Sequence, residues 1–376
     1  MRALCAVLSL AVLAPGPADA LDARSRAAET AREALRGRLQ RDDIPAMSAA
    51  VAARGRIVWS EAFGHADRES VVPATPATRF GIGSITKSLT MALAARLVEQ
   101  GKLDLDAPVE RYLPGFPLAG RGITTRLVGG HLSGLGDSFA NANRLTTRHY
   151  DTREALAEIV KEPPRGPAGA EHFYATGPYT VIAAVIEVVS GERLAAAMRR
   201  HVLDPLGMPS TVPNDPRHPV AHRATFYEAD AEDKPVRAPS YDPSHKLAGA
   251  GYLSTAEDLV RFGSALLEPG FLTADTLEQL FTPLRTGAGA DTGVGLGFRI
   301  GQEAWPGAGW MIGPDDQKRR IVHQPGGGPG ISAWLVIDHD AKLVAAVLSN
   351  KTSANVGGKA FDAVLEAFAL ERTTGR

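Results

Sequence analysis

The sequence contains almost no cysteine. Cys5 is the only one among the 376 residues, and it lies in an N-terminal stretch that has the features of a cleaved leader. A mature chain without cysteine can hold no disulfide framework, no zinc–thiolate site and no cysteine nucleophile. These classes of protein are therefore excluded.

An excess of charge of one sign is also missing. Lys and Arg number 41 against 42 Asp and Glu, which gives a formal net charge of -1. This balance gives no reason to expect nucleic acid or an anionic membrane as a partner. The hydrophobic content of 44% is ordinary for a globular protein, and the length allows one large domain or two interleaved lobes.

Residues 1–20 have the pattern of a secretory signal peptide. Arg2 supplies the positive charge, residues 3–13 the apolar segment, and Ala18-Asp19-Ala20 the small-residue cleavage site. The apolar segment is too short to remain as a membrane-spanning helix, and no later stretch is long enough. The sequence therefore predicts an exported protein, periplasmic or secreted, without a transmembrane anchor after cleavage. The alternative is an ordinary N-terminus that is disordered or packs in the core.

Strand patterns lie near both ends of the chain, and helical patterns lie between them. A hairpin around Gly55 is predicted to join the first two strands. The segment 205–243 has little periodicity and is predicted to be a long surface excursion. Helices are predicted over 23–39, 84–101, 152–161, 178–190, 194–202, 255–267, 274–281 and 358–370, and strands over 44–53, 56–63, 293–300, 319–324, 331–338 and 342–350.

This arrangement predicts an α+β fold. A central antiparallel sheet would be built from both chain ends, about 21–80 and 290–376, and flanked by helices. A mainly helical lobe of about 81–289 would be inserted between the two parts, within one catalytic domain of residues 21–376. The missing βαβ alternation argues against a doubly wound parallel sheet.

Ser84 and Lys87 lie three residues apart where a mostly apolar helix begins. Such residues share a helix face, with Cβ atoms about 5–6 Å apart, so the amine can take the hydroxyl proton and activate a poor nucleophile. The N–H groups at the helix start favour negative charge there. The alternative is that Ser84 only caps the helix while Lys87 extends into solvent. A lysine at the start of a buried helix is unusual and needs a partner, which favours catalysis.

Other catalytic signatures are missing. The chain has no G-x-S-x-G and no H-E-x-x-H, which argues against a nucleophile elbow and a zinc protease. The spacings of His218, His222 and His245 match no metal motif. No metal site is therefore expected, and a serine nucleophile activated by a lysine needs neither a metal nor an organic cofactor.

The order of motifs resembles the serine β-lactamase and penicillin-binding-protein family. The branch most similar is that of class C β-lactamases with their esterase and D-peptidase relatives, and the resemblance covers about residues 44–350. It is carried by the stretches 81–87 (GIGSITK), 131–135 (HLSGL), 204–208 (DPLGM) and 249–259 (GAGYLSTAEDL).

The second motif of that family is Y-x-N, and Tyr174-Ala175-Thr176 stands in its place. The resemblance implies that the Tyr174 oxygen approaches Ser84 and shares proton transfer with Lys87. The family's asparagine bonds the lysine and the substrate amide. Thr176 offers a single shorter hydroxyl, so both of these tasks are expected to change.

The third motif is K-T-G, or H-x-G in many esterase-like members, and residues 323–330 (HQPGGGPG) correspond to it. Counting back from Pro329-Gly330 places Gln324 at the basic position, whereas counting from the histidine requires one extra residue. We prefer His323, because an imidazole can donate to a substrate carbonyl or carboxylate. The alternative is a sheet histidine without a catalytic part.

The resemblance implies a serine hydrolase that forms an acyl-enzyme at Ser84. Lys87, alone or with Tyr174, is the expected base, and the oxyanion donors are the N–H of Ser84 and that of Gly326 or Gly327. Since the lysine of K-T-G is missing, small esters or amides such as D-amino-acid peptides are favoured over β-lactam antibiotics. The alternatives are a class C-like β-lactamase, a penicillin-recognising sensor or binding protein without turnover, and an inert scaffold.

Overall fold

The computed structural model describes residues 17–137, 146–300 and 321–354, together with 356, 363–365, 367 and 368. Most of the predicted leader and most of the predicted final helix over 358–370 lie outside these residues; 363–365, 367 and 368 are helical. None of the described helices combines the length and the apolar composition that a membrane span requires.

Helices occupy the first described segment and the middle of the chain. In chain order the α-helices of the described residues are α1 (Pro17–Arg41), α2 (Ile85–Glu99), α3 (Thr125–Gly129), α4 (Thr152–Ile159), α5 (Tyr179–Ser190), α6 (Leu194–Met198), α7 (Leu247–Ala250), α8 (Ala256–Ala265) and α9 (Ala274–Phe281). Short 3₁₀ turns cover Val109–Arg111 and Pro243–Lys246, and a π-helical turn covers Arg199–Leu203.

The strands of the described residues fall into one large sheet and two small ones. In chain order they are β1 (Ala46–Ala53), β2 (Arg56–Asp67), β3 (Val72–Pro73), β4 (Phe80–Gly81), β5 (Val212–Pro213), β6 (Tyr227–Ala229), β7 (Pro235–Arg237), β8 (Tyr252–Ser254), β9 (Arg299–Ile300), β10 (Ile321–Gly328), β11 (Ile331–Asp338) and β12 (Leu343–Ser349).

The large sheet joins the two ends of the chain. Its strand order is β3-β2-β1-β12-β11-β10-β9, and each neighbouring pair is antiparallel. β1 from the N-terminal part lies beside β12 from the C-terminal part, with Met47 opposite Ser349. The predicted α+β fold with an antiparallel sheet built from both ends is therefore confirmed.

Alternating residues of the sheet face two separate cores, because successive side chains of a strand point to opposite faces. On one face Met47, Val51, Trp334 and Val336 pack with residues of α1 and of the C-terminal segment. On the other face the neighbouring positions, among them Leu335, pack with α2, α5 and α8. The second face carries the helical part of the chain.

α2 is the central helix of this helical part. Twelve of its fifteen residues are buried, as the apolar run predicted. Its polar side chains are satisfied by distant backbone: the Ser88 hydroxyl donates to Gly297 O at 2.6 Å and the Thr90 hydroxyl to Ala248 O at 2.7 Å. Because so little of α2 is exposed, shortening a core residue such as Leu89 to alanine would cost roughly 2–5 kcal/mol of stability. The helix therefore fixes its first turn rigidly in the molecule.

Two element predictions need correction. In place of a strand over 293–300, only Arg299 and Ile300 pair with β10. The preceding residues fold back, with Ile300 N–H donating to Gly293 O at 2.9 Å, and glycines 293 and 297 adopt positive φ. The helix predicted over 194–202 is α-helical only to Met198 and continues as a π-helical turn.

The predicted excursion over 205–243 contains the strands β5, β6 and β7. Each has only two or three residues, too few to leave a periodic pattern in the sequence. β5 pairs with β8 in the three-stranded sheet β4-β8-β5, so part of the excursion is integrated into the fold.

Candidate active site

Ser84 lies immediately before α2, and its side chain does not cap the helix. Its Oγ instead accepts a hydrogen bond from Lys87 Nζ at 2.9 Å. The cap interpretation is therefore wrong for this serine. Since its own backbone N–H belongs to the start of the helix, the residue combines a nucleophilic oxygen with a donor that favours negative charge.

Gly83 allows the chain to bend sharply before this serine. Its φ is +47°, in the left-handed region. A Cβ at this position would lie 2.6 Å from Gly327 N and 2.7 Å from Gly327 O, so the backbone of β10 passes directly against it. Only glycine permits both this conformation and this approach.

Lys87 is completely buried, with 0% of its surface exposed. Its Nζ donates to three oxygens: Ser84 Oγ at 2.9 Å, Thr176 Oγ1 at 3.0 Å and Gly249 O at 3.0 Å. Within the described residues no carboxylate lies within 4 Å of this amine to form an ion pair. The neutral oxygens around it let the amine exchange a proton with Ser84 without competition from a salt bridge.

Tyr174 completes the group around the serine. The Lys87 nitrogen lies 4.9 Å from the centroid of its ring, and its phenol is hydrogen-bonded to the side chains of Ser84 and Lys87. Burial by itself would raise the pKa of Tyr174. The charge of Lys87, these two hydrogen bonds and the charge of Arg299 oppose burial and together lower that pKa below its usual value.

His131 and Arg299 lie on either side of the tyrosine. The ring of His131 is 4.3 Å from that of Tyr174, centroid to centroid, and its Nδ1 accepts the N–H of Ala175 at 3.3 Å. Burial, with the charge of Lys87 second, holds the pKa of His131 well below its usual value. This neutral imidazole orients the tyrosine segment through its hydrogen bond with Ala175. The Arg299 guanidinium lies 5.4 Å from the Tyr174 ring centroid.

Both the side chain and the backbone of Thr176 are hydrogen-bonded. Its hydroxyl accepts from Lys87, and its backbone N–H donates to the carboxylate of Asp137 at 2.9 Å. The neighbouring Gly177 N–H donates to the same carboxylate, also at 2.9 Å. Asp137 therefore fixes the backbone of the second motif, which in turn orients the threonine toward the amine.

The preference for His323 in the third motif needs correction. His323 is paired with Val336 and stacks on Trp334, with ring centroids 5.7 Å apart and planes at 9°. Val336 and Trp334 belong to the core on the α1 face of the sheet, which is the face away from α2. The imidazole therefore faces away from Ser84.

Gln324 occupies the opposite face. It is paired with Leu335, which packs in the core that contains α2, and its side chain is almost fully buried. Gly326 follows Gln324 by two residues along β10 and lies on the same face. A Cβ at Gly326 would lie 2.0 Å from Ile82 O. The register that puts Gln324 at the family's basic position is thus the one that the strand geometry favours. That position carries a neutral amide, with its Nε2 donating to Pro325 O at 3.1 Å.

Of the two glycines predicted as oxyanion donors, Gly327 is better placed. Gly328 and Ile331 close the two-residue turn between β10 and β11, and Gly327 is the next residue, opposite Ser332. In an antiparallel pair, alternate residues direct their N–H groups away from the partner strand. The N–H of Gly327 therefore points away from β11 at the place where β10 passes Gly83, one residue before Ser84.

One group of side chains in the described residues has the spacing of a metal site: His149, Asp215 and Asp242. Its charges are already matched within the protein. The Asp215 carboxylate accepts from the Arg217 guanidinium at 3.0 and 2.8 Å, and Asp242 contacts His149 Nδ1 at 2.9 Å. It has the character of a polar network that joins His149 to the excursion.

Sequence reasoning missed several groups of the site, namely Asp137, the carbonyl of Gly249, Arg299 and Lys246. Asp137 acts through its contacts with backbone N–H groups, and a carbonyl has no residue-type signal at all. The resemblance of the stretch 249–259 to the family is the one sequence signal for the segment that lies against Lys87.

Comparisons with known proteins agree with this geometry. A family profile described as Beta-lactamase matches residues 31–368. The serine beta-lactamase-like protein LACTB, mitochondrial, of Mus musculus is 29% identical over 350 residues, which cover 69% of this chain and 63% of that protein. Esterase EstB of Burkholderia gladioli is 32% identical over 292 residues, covering 66% of this chain and 73% of EstB. The chain thus spans less than two thirds of the length of the mouse protein.

Among solved structures, the D-amino acid amidase from Ochrobactrum anthropi SV3, complexed with L-phenylalanine, has a TM-score of 0.77. The two chains are 21% identical, and the match covers 92% of this chain and 99% of the amidase. At this identity the likeness is evidence on the fold alone.

Proposed function

The chain belongs to the beta-lactamase family, and on this basis we propose that it is a serine hydrolase that forms an acyl-enzyme at Ser84. Its substrates are small esters or amides, as in an esterase or a D-amino-acid peptidase. One observation carries the proposal: Ser84 Oγ is hydrogen-bonded to Lys87 Nζ at 2.9 Å and also to the Tyr174 phenol.

Acylation follows from this arrangement. Ser84 Oγ attacks the substrate carbonyl carbon, and its proton passes to the Lys87 nitrogen, which accepts it as the neutral amine, with Tyr174 sharing the transfer. The carbonyl oxygen becomes negative and is stabilised by the N–H groups of Ser84 and Gly327; one such donor contributes about 3–4 kcal/mol in transition-state binding. The proton then goes to the leaving alcohol or amine as its bond to the carbonyl carbon breaks. Water repeats the sequence on the ester of Ser84 and releases the acid.

Two observations favour esters or simple amides over β-lactam antibiotics. Gln324 places a neutral amide where the family pattern has a lysine or histidine. Thr176 offers its hydroxyl to Lys87 at 3.0 Å, and the hydroxyl has no second donor for an acylamino side chain. EstB, by its name an esterase, is the relative at 32% identity.

The test compares Ser84→Ala with Ser70→Ala, a control that changes an exposed serine. We expect Ser84→Ala to abolish hydrolysis of p-nitrophenyl butyrate and Ser70→Ala to leave it unchanged, with equal melting temperatures. Undiminished ester hydrolysis in Ser84→Ala would place the nucleophile elsewhere.

The same preparation separates the alternatives. A chromogenic cephalosporin turned over faster than the ester would favour a class C-like β-lactamase. A penicillin-recognising sensor would keep a lasting adduct on Ser84, visible by intact-mass spectrometry, and would hydrolyse neither compound.

We also propose that the protein is exported, to a periplasm or to the medium. The support is the charged, apolar and small-residue pattern of residues 1–20. Expression in a Gram-negative host with the leader intact, followed by N-terminal sequencing, should give a mature chain that begins near residue 21. A full-length chain retained in the cytoplasm would contradict the proposal.

A further inference from the structure

A second lysine lies in the wall of the active site. Lys246 ends the 3₁₀ turn Pro243–Lys246 and directly precedes α7. Three residues later, Gly249 O accepts the hydrogen bond of Lys87 at 3.0 Å. A Cβ at Gly249 would lie 2.7 Å from Thr176 Cγ2. The segment that carries Lys246 therefore packs directly on two residues of the catalytic group.

The aromatic ring of Tyr241 connects Lys246 with the oxyanion strand. The Lys246 amine lies 5.5 Å from the ring centroid. The hydroxyl of the same ring lies 4.0 Å from the position of a Cβ on Gly328, the last residue of β10. Since the preceding residue, Gly327, carries the proposed oxyanion donor, Lys246 and Tyr241 form a wall that extends from Lys87 to the oxyanion strand.

The Lys246 amine has no anionic partner among the described residues, where it forms neither an ion pair nor a hydrogen bond. It is half-buried. Burial, and after it the charge of Lys87, lower the pKa of Lys246, whereas Asp137 raises it. The Asp137 carboxylate is already occupied by the two N–H groups of the second motif. A half-buried cation near a second lysine is unfavourable unless an anion accompanies it.

The family pattern has a cation at the first position of the third motif. In this chain Gln324 occupies that position, and its side chain is neutral. A substrate carboxylate that enters this cleft meets no lysine or histidine on β10 facing Ser84. Lys246 lies on the segment that contacts Lys87 and Thr176, and its amine lies over the face of the Tyr241 ring. A lysine amine is a compact donor of charge-assisted hydrogen bonds, which suits a carboxylate.

We propose that Lys246 binds a carboxylate of the substrate, so that the preferred substrates are esters or amides that carry a free carboxylate. This inference rests on the proposed hydrolase function and names its substrate class. It assigns recognition of a carboxylate to residues 241–246, at and just after the end of the excursion, and not to the third-motif strand.

The experiment uses matched substrates that differ only in charge. In the first pair the difference in charge lies on the leaving group: the substrates are 3-(butanoyloxy)benzoate and 3-(butanoyloxy)benzamide. In the second pair it lies on the acyl group: the substrates are the 4-nitrophenyl esters of 4-carboxybenzoate and 4-carbamoylbenzoate. For Lys246→Gln we expect kcat/KM of at least one anionic member to fall about 10- to 100-fold, mainly through KM. Its neutral partner should change less than about threefold. Lys246→Arg, which keeps the charge, should recover part of the loss.

Lys161→Gln is the matched control, because it removes one exposed positive charge two residues after the end of α4. It should leave both members of each pair unchanged. Equal losses for charged and neutral esters in Lys246→Gln would mean that the residue is only structural and would overturn the inference.

Calorimetric binding to the Ser84→Ala variant separates failure of this inference from failure of the hydrolase proposal. Turnover of no ester by the wild-type protein would refute the hydrolase, whatever Lys246 does. If the Ser84→Ala protein binds the benzoate no better than the benzamide, and Lys246→Gln does not alter that ratio, the carboxylate site is refuted independently.

Discussion

The Lys87 amine and the Thr176 hydroxyl lie 3.0 Å apart, with Ser84 Oγ 2.9 Å from the same amine. The threonine therefore replaces the family's asparagine as a hydrogen-bond partner of the lysine. The threonine does not replace the asparagine as a partner of a substrate amide, because a hydroxyl has no separate carbonyl and amino group. This division links one substitution in a short motif to the expected preference for esters.

Thr176→Val removes that acceptor while almost preserving the shape of the side chain. Hydrogen bonds to charged groups contribute about 1.5–3 kcal/mol, so kcat/KM for p-nitrophenyl butyrate should fall about 10- to 100-fold with little change in melting temperature. Thr176→Ser keeps the hydroxyl and should stay within about threefold of the wild type. A Thr176→Val protein as active as Thr176→Ser would show that Lys87 needs no such acceptor.

Gly83→Ala should inactivate the protein more than it destabilises it. The new methyl group would meet the Gly327 backbone at 2.6 Å, so β10 must move and the second oxyanion donor is lost, a change that costs roughly 100-fold or more in kcat. Gly101→Ala is the control, since Gly101 also has positive φ but no atom within 4 Å of its Cβ position. Both variants should lose about 1–2 kcal/mol of stability from the left-handed conformation. Comparable activity in the two would count against the oxyanion role of Gly327.

The two candidates of the third motif should respond differently to leucine. His323→Leu loses the stack on Trp334 on the far face of the sheet, and we expect a lower melting temperature with kcat/KM within about threefold of the wild type. Gln324→Leu changes the sheet face that packs toward α2 and Ser84, and it should lower kcat/KM about tenfold or more. Steady-state kinetics with p-nitrophenyl butyrate checks both. The opposite ranking would restore His323 as the residue of the site.

The pH profile should report the charges around Tyr174. Because Lys87 and Arg299 lower the pKa of this phenol against the effect of burial, its deprotonation occurs at lower pH than for an ordinary tyrosine. Arg299→Gln removes one of these charges, so the pKa rises and the alkaline limb of the kcat/KM profile moves to higher pH. Arg153→Gln, an exposed position on α4, should not move the limb. Tyr174→Phe should remove the alkaline limb. An alkaline limb that persists in the Tyr174→Phe protein belongs to another group.

The parts of the site that depend on neighbours in sequence could be predicted. Ser84 and Lys87 meet because residues three apart share a helix face, and the burial of α2 was visible in its apolar composition. The sheet was visible as strands at both ends, and β11 and α9 were predicted with their observed bounds. Tyr174 and Thr176 came from the family resemblance, and the structure places both beside Lys87.

What could not be predicted depends on contacts between distant residues or on a register of one residue. A strand that slips by one position exchanges its two faces, and the sequence HQPGGG is compatible with both. The structure decides through the pairing of His323 with Val336 and of Gln324 with Leu335. Asp137, Lys246 and Gly249 contribute through tertiary contacts that carry no local pattern.

The pairing of β1 with β12 has a consequence for the newly made protein. Ser84 is translated early, whereas Gly327 and the strands that support it leave the ribosome near the end of synthesis. A partial polypeptide that stops before β10 holds the proposed nucleophile but not the proposed second oxyanion donor. We therefore expect hydrolytic activity only once translation has passed the third motif, and we expect fragments truncated before it to be inactive.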